Sequence, residues 1–249
     1  MVSRTGPTRK RKALPAGGYS RAVSAEIAPE PPVSKVREGV FFTPPDALPR
    51  GRHDLTREQV THAQRERMLI AMTELLAAHG YRGFGPGDIA GRAGVSLGAF
   101  YELFENKDAC VFAGYDRFIE VLLMKMAALE PARWDRARVV REALNAYLET
   151  LQSDPVVARA YQVEIDALGP PARERRRTSL DQFAAFIREL DVRTSIDGRA
   201  APLPWTAYLG VIYAARQLAS DALDLDSDPD LAELGEDLEI WLSDLFRTR

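Results

Sequence analysis

The side chains best placed for chemistry in this sequence are two hydroxyl groups that flank a short apolar segment. Ser96 follows the turn-forming Gly94, and Tyr101 comes five residues after Ser96. Hydroxyl groups of this kind donate hydrogen bonds to phosphate oxygens, and such bonds position a protein on a polyanion without breaking any covalent bond. The pattern therefore favours binding over catalysis.

Residues typical of enzymes and metal sites are sparse. The three histidines are His53, His62 and His79, and none follows in the remainder of the chain. The HExxH, phosphate-loop and Cys/His ligand spacings are all absent from the sequence. We therefore expect no enzyme activity, no cofactor and no metal site.

The composition is typical of a globular protein of the cytoplasm. Hydrophobic residues make up 46% of the chain, which is enough to build a sizeable core. The single cysteine, Cys110, cannot form an intramolecular disulfide and suits a reducing compartment, where we expect a packed thiol. No apolar run approaches the ~18 residues that cross a bilayer, and the first residues lack the apolar segment of a secretory signal. We expect no membrane partner.

Three predicted helices position the two hydroxyl groups. Apolar residues recur at helical spacing over 56–79, and shorter helices are predicted over 86–93 and 97–104. Gly94 can adopt the tight turn between the short helices, and Ser96 can cap the second of them. Two short helices joined by a glycine turn and braced by a longer helix form a helix-turn-helix, whose second helix fits the major groove of DNA.

Charge is distributed unevenly around a net value of −3. Basic residues outnumber acidic ones at the start of the chain, where Pro and Gly are frequent and no apolar period is sustained. We therefore predict a disordered basic arm over residues 1–54. The Arg9–Lys12 cluster fits a solvated tail as well as a DNA-binding arm, and Arg52, beside the folded domain, is better placed to reach DNA.

Further helices are predicted through the rest of the chain, and no segment shows the alternation and hairpin turns of strands. Their apolar stripes place them near 107–129, 134–152, 155–168, 171–190, 204–223 and 229–247. The predicted fold is all-α, with a helix-turn-helix domain at 55–108 followed by a helical domain at 109–249.

Four sequence blocks occur together in a fixed order. They are Gly80-Tyr81, Asp88-Ile89-Ala90, Ala93-Gly94-Val95-Ser96 and Phe100-Tyr101-(x2)-Phe104-(x2)-Lys107. In these blocks, over residues 55–110, the sequence resembles the TetR family of transcriptional regulators. The resemblance implies an N-terminal three-helix DNA-binding domain and a C-terminal helical domain for effector binding and dimerisation. It also implies three partners, namely double-stranded DNA with a palindromic operator, a second copy of the chain and a small-molecule effector.

By this resemblance, Tyr101 and Lys107 contact phosphates, whereas Leu97, Gly98 and Ala99 lie nearest the bases. Residues that flank the reading helices and the arm complete the predicted DNA-binding set, which is Arg52, Arg57, Gly85, Ser96, Leu97, Gly98, Ala99, Tyr101 and Lys107.

The sequence departs from the family pattern at three positions. Gly85 takes the place of a phosphate-binding Thr, Leu97 that of a basic or polar residue, and Leu103 that of a His or Tyr. Each change removes a polar contact with DNA. The basic arm is a candidate replacement, since such arms enter an adjacent minor groove.

In the family's layout the C-terminal helices surround a ligand cavity, which aromatic and Met side chains suit because they adapt to apolar ligands. Each such residue is also compatible with an ordinary core. The predicted pocket residues are Phe118, Leu122, Met126, Tyr147, Leu151, Tyr161, Phe183, Phe186 and Tyr208. Arg173 and Arg175–Arg177 fit a solvated helix face, with binding of an anionic effector as the alternative.

The last two predicted helices carry more apolar surface than one chain can easily bury. A two-fold four-helix bundle between subunits would cover it, and this arrangement resembles the family's usual interface. The alternative is that both faces are internal core. The predicted interface residues are Val211, Ala214, Ala215, Leu218, Leu238, Trp241, Leu242 and Leu245.

The sequence thus predicts a homodimeric repressor that a small apolar or amphipathic effector releases from its operator. In that mechanism the effector changes the distance between the two helix-turn-helix domains of the dimer. The new distance no longer matches successive major grooves, which lie ~34 Å apart. The alternative, from a different class, is a helical dimeric ligand- or partner-binding protein whose DNA-binding head has decayed.

Overall fold

The computed structural model describes residues 33–46, 55–130, 134–194 and 202–246, and within these ranges the protein is all-α, as predicted. Its helices are α1 (Arg57–His79), α2 (Pro86–Ala93), α3 (Leu97–Leu103), α4 (Lys107–Ala127), α5 (Arg136–Ser153), α6 (Pro155–Gln162), α7 (Pro170–Thr194), α8 (Trp205–Leu225) and α9 (Leu231–Phe246). None of these helices is long and apolar enough to cross a membrane.

Side-chain caps in the sequence define where the helices begin. Thr56 and Gln59 form a reciprocal capping box at the start of α1, with bonds of 3.2 and 2.8 Å. Ser96, Asn106 and Asp135 each accept a hydrogen bond from the backbone N–H three residues later, at the starts of α3, α4 and α5. Such bonds satisfy amides that have no partner within the helix, and they therefore fix the residue at which each helix begins.

Helix α1 connects the helix-turn-helix to the rest of the protein. It packs against α2 and α3, and also against α4 and α6. Ile89 and Phe100 are fully buried between these elements, and Phe104 is almost so. Helices α2 and α3, called the reading helices below, are therefore held by the same helix that borders the C-terminal domain.

Two apolar sides of the last helices prove to be internal, which corrects part of the predicted dimer interface. Helix α9 packs on α5, and its Leu238 and Leu242 are buried within the single chain. Val211 and Ala215 on α8 are also buried and face a cavity described below. These four side chains pack inside the chain because α5, α6 and α7 already cover them.

The remaining predicted interface residues divide into two groups. Ala214 is half-buried, and Leu218 keeps 41% of its surface exposed. The side chains of Trp241 and Leu245 lie outside the described residues. The predicted interface is thereby reduced, within the described part of the chain, to the outer side of α8.

Residues 33–46, called the strap below, pack on the helical body, so the prediction of disorder is wrong for them. Phe41 and Phe42 are each only 2% exposed, and the Phe41 ring stacks on Phe118 of α4 with centroids 5.4 Å apart. The frequent prolines around them were the reason for predicting disorder. Two adjacent aromatic rings nevertheless supply enough apolar area to order a segment that has no helix or strand.

Polar contacts tie the strap to both domains. The Val36 N–H donates to Glu74 Oε1 of α1 at 3.0 Å, and the Arg37 N–H donates to Asp154 Oδ2 at 2.7 Å. Asp154 also caps α6 through the N–H groups of Val156 and Val157. The strap therefore joins α1 to the start of α6 across the domain boundary.

We expect Phe41→Ala to lower the free energy of unfolding by about 3–5 kcal/mol, because it leaves a cavity beside Phe118. Thr43→Ala, at an exposed strap position, is the matched control and should change it little. Chemical denaturation followed by circular dichroism measures both values. Equal, small losses in the two variants would show that the strap does not contribute to stability.

Candidate functional site

The helix-turn-helix is built around a left-handed glycine. Gly94 ends α2 with φ +67° and ψ 35°, a conformation that residues with a Cβ rarely adopt. Its N–H bonds to the last turn of α2, and two residues later the Ser96 Oγ accepts from the Ala99 N–H at 3.1 Å. This turn sets the angle at which α3 leaves α2.

Three of the predicted base-reading and phosphate-binding residues share the outer surface of α3. Leu97 is 46% exposed and Tyr101 55% exposed, and Gly98 beside them is also exposed. Ala99 differs from the prediction, because it is half-buried and packs against the core. The Ser96 hydroxyl is engaged as the helix cap, although its side chain remains at the surface.

The other predicted DNA-binding residues lie at the starts of helices or outside the described ranges. Gly85 precedes α2, and its N–H donates to Asp88 Oδ2 at 2.8 Å. Arg57 is exposed in the first turn of α1. Arg52 lies outside the described residues.

Lys107 occupies a different position from the predicted phosphate contact. Its Nζ donates to the carbonyl oxygens of Tyr81 and Phe84 at 2.7 and 2.9 Å, and it lies 3.9 Å from the Tyr81 ring centroid. Burial lowers the pKa of Lys107, which the neighbouring Asp108 carboxylate opposes. The amine therefore closes the turn between α1 and α2 onto the start of α4.

A second site is the cavity between α4, α5, α6, α7 and α8, with a volume of about 50 Å³. Seven of the nine predicted pocket residues line it, namely Phe118, Leu122, Met126, Tyr147, Tyr161, Phe183 and Tyr208. Leu151 and Phe186 are not part of its wall; Leu151 is fully buried elsewhere on α5. The mainly apolar lining suits an apolar molecule.

Sequence reasoning missed the polar part of this cavity wall, which includes Gln162, Ser179 and Arg216. Arg176, one of the arginines expected on a solvated face, also lines the cavity, whereas Arg175 pairs with Asp116 at 2.8 Å. No periodicity marks such residues, because one polar side chain on a buried helix face looks like an interruption of the stripe.

Tyr161 belongs to the cavity and also contacts the DNA-binding domain. Its ring lies 5.3 Å from the Phe118 ring, centroid to centroid, and its hydroxyl oxygen is 2.7 Å from Thr73 Oγ1 on α1. Gly114 on α4 leaves the space for this ring, since a Cβ at that position would clash with the Tyr161 hydroxyl.

Other candidate chemistry is absent from the described ranges. No group of three or more His, Cys, Asp or Glu residues there is arranged to hold a metal ion. Cys110 is buried, and burial raises the pKa of its thiol to about 12. A thiol with that pKa is not ionised near neutral pH and is a poor nucleophile.

Comparisons with known proteins match both domains. Residues 69–113 match the family model of bacterial regulatory proteins, tetR family. The chain is 27% identical over 208 residues to the HTH-type transcriptional regulator EthR of Mycobacterium tuberculosis, covering 80% of this chain and 94% of EthR.

Solved structures agree in fold. The fatty acid degradation regulator FadR from Bacillus halodurans superposes with a TM-score of 0.63 at 19% identity, covering 75% of this chain and 97% of FadR. The transcriptional regulator FadR from Bacillus subtilis, in complex with stearoyl-CoA, gives 0.58 at 18% identity, covering 71% and 96%.

The turn at Gly94 and the exposed side of α3 have the geometry of a helix-turn-helix, and the comparisons support a DNA-binding regulator. The matched residues 69–113 run from the middle of α1 through both reading helices into α4. Over these residues the protein is similar to the tetR family of bacterial regulatory proteins, and over most of its length it is similar to the transcriptional regulator EthR.

We expect Lys107→Met to lower the free energy of unfolding by about 1–3 kcal/mol, because it leaves two carbonyl groups without their charged donor. Lys125→Met, at an exposed position on the same helix, is the control and should have little effect. Denaturant melts compare the two. Unchanged stability together with weaker DNA binding would return Lys107 to the predicted phosphate contact.

Proposed function

We propose that the protein is a homodimeric repressor that a molecule bound in the cavity releases from a palindromic operator. The observation that supports this best is the double position of Tyr161, in the cavity wall and against Thr73 of α1. A molecule that displaces the Tyr161 ring must disturb α1, which packs against both reading helices. Occupancy of the cavity and the position of the helix-turn-helix are then linked through one side chain.

In this proposal the outer side of α3 reads the major groove. Tyr101 donates to a phosphate, while Leu97 and Gly98 approach the base edges by apolar contact, as a thymine methyl group allows. Two such heads in a dimer meet successive major grooves ~34 Å apart, so a change in their separation lowers operator affinity. Arg57, and Arg52 beyond the described residues, add sequence-independent phosphate contacts.

The proposed effector is apolar or amphipathic. The cavity of about 50 Å³ is smaller than the ~150 Å³ that accommodates benzene in an engineered protein, so side chains must move as the effector enters. Met126 and the aromatic rings of the wall can do so at low cost. The stearoyl-CoA complex of the Bacillus subtilis FadR supports acyl compounds as one class to test.

A second candidate function follows from the composition of the reading helix. Leu97, Gly98 and Ala99 offer no hydrogen-bonding side chain to bases, and the exposed Glu102 and Glu105 repel phosphates. A dimeric ligand- or partner-binding protein with a decayed DNA-binding head fits these residues. The two functions differ in whether the protein prefers one DNA sequence.

The test is binding to DNA from the protein's own promoter region, competed against random DNA at fixed salt. The repressor proposal expects a clear preference for the promoter DNA, and the decayed-head alternative expects none. Tyr101→Phe should weaken binding about two- to tenfold on every sequence, because a phosphate contact carries no base information. Thr178→Val, which removes an exposed hydroxyl group from α7, is the control and should leave DNA binding unchanged. A changed sequence preference in Tyr101→Phe would contradict its phosphate role.

The proposed dimer uses the outer side of α8. Tyr213 and Leu218 are each 41% exposed there, and the half-buried Ala214 lies between them. Ile240 on α9 is 69% exposed and extends the apolar surface of the last two helices. These side chains are candidates for a two-fold helical interface.

We expect Leu218→Asp to give a folded monomer that loses operator binding, because an unpaired carboxylate in an apolar interface is strongly disfavoured. Val192→Asp, an exposed apolar position on α7, is the matched control and should remain dimeric. Size-exclusion chromatography with light scattering reports the mass, and circular dichroism reports the helix content. A dimeric Leu218→Asp protein would place the interface elsewhere.

A further inference from the structure

One end of the cavity carries positive charge. Among the residues that the structure describes, Arg176 and Arg216 are the charged members of its wall, and no carboxylate belongs to it. Behind them, Asp166 pairs with Arg176 and lies 3.6 Å from an Arg216 nitrogen. Two arginines against one aspartate leave a single positive charge at this end.

The cavity also contains buried polar atoms without partners. The Tyr147 hydroxyl and the Gln162 Oε1 of the wall, and the Asp166 Oδ1 behind it, are buried and have no hydrogen-bond partner in the described structure. The other three tyrosines of the wall differ, since the hydroxyl groups of Tyr115, Tyr161 and Tyr208 bond to Ser179, Thr73 and Asp191. A buried polar group that lacks a partner is costly, so Tyr147 requires a separate explanation.

These groups are neighbours. Arg216 donates to the Gln162 backbone carbonyl at 2.9 Å, which holds its guanidinium beside that residue. Burial raises the pKa of Tyr147, and the Arg216 charge acts against this rise, as it also does at Tyr115. The unpartnered hydroxyl therefore lies within the electrostatic reach of Arg216.

We propose that this end of the cavity binds the carboxylate of an apolar carboxylic acid, with Tyr147 and Arg216 as its hydrogen-bond donors. The inference rests on the proposed function, in which the cavity is the effector site. Rotation of the Gln162 amide by half a turn exchanges its oxygen for its NH2 group and supplies a further donor. The hydrocarbon part of the acid then lies against Leu122, Met126 and their apolar neighbours.

The charge balance and the burial favour a carboxylate over other head groups. One net positive charge is neutralised by a monoanion, whereas a phosphate dianion leaves an uncompensated negative charge and an ammonium group is repelled. Arg216 is only 8% exposed, so a bulky nucleotide head beside it would have to displace more of the wall than a carboxylate does. A carboxylate is small and matches the fork of a guanidinium.

Four probes with one chain length test the head group, namely octanoate, octan-1-ol, octylamine and octanoyl-CoA. Calorimetric titration at pH 7.5, where octanoate is ionised, gives the dissociation constants. We expect octanoate to bind about tenfold or more tightly than octan-1-ol, because hydrogen bonds to a charged group are the stronger kind. Octylamine and octanoyl-CoA should bind more weakly than octanoate.

Tyr147→Phe should lose most of the preference for octanoate over octan-1-ol. It should also raise the melting temperature in the absence of any probe, because it removes a buried hydroxyl that has no partner. Thr178→Val, which removes an exposed hydroxyl group outside the cavity wall, is the control, and its preference for octanoate should persist.

The outcomes separate this inference from the proposed function. Equal binding of octanoate and octan-1-ol would overturn the carboxylate site and leave the cavity as an effector site. Tighter binding of octylamine or octanoyl-CoA would overturn it in favour of another head group. Failure of all four probes to bind would count against the cavity as an effector site, and therefore against both proposals.

Discussion

The hydrogen bond between Tyr161 and Thr73 is the contact on which the relation between the two domains depends. The Thr73 hydroxyl donates its one proton to the Leu69 carbonyl at 2.7 Å, so Tyr161 must be the donor in the bond between the two hydroxyl groups. Burial raises the pKa of Tyr161, which keeps that proton in place. An internal tyrosine thus holds α1, and with it the reading helices, against the cavity wall.

Gly114 makes this arrangement possible because it removes the one carbon atom that would fill the space. A Cβ there would meet both the Tyr161 hydroxyl and, at 2.8 Å, the Met72 Cε of α1. Helices α1, α4 and α6 therefore meet at a point with no free volume. Close-packed interiors transmit displacement rather than absorb it, so movement of a residue in the cavity wall displaces α1.

Local signals in the sequence predicted the fold well. The cap at Ser96 and the left-handed turn at Gly94 are short-range features, and each begins or ends a helix as expected. Apolar stripes show that a helix face is buried but not which element buries it. Leu238 and Leu242 on α9 were therefore assigned to a second subunit, although α5 covers them.

The functional residues were harder to predict because their roles depend on contacts between distant segments. Lys107 donates to carbonyl groups that precede it by more than twenty residues. Its local sequence does not distinguish this role from a contact with a phosphate. Arg176 belongs to a basic run that periodicity assigns to solvent, yet it reaches the cavity because α7 packs against α8. Only the three-dimensional arrangement distinguishes these cases.

The strap is synthesised before any of its partners. Phe41 needs Phe118 of α4, and the Arg37 N–H needs Asp154, which follows 117 residues later. At the usual speed of a ribosome the segment between Phe41 and Phe118 takes on the order of ten seconds to synthesise, and until then the two phenylalanines of the strap are accessible to chaperones. The reading helices contact α1, which is closer to them in sequence, so they can form within that time. The strap therefore packs after the helix-turn-helix has folded.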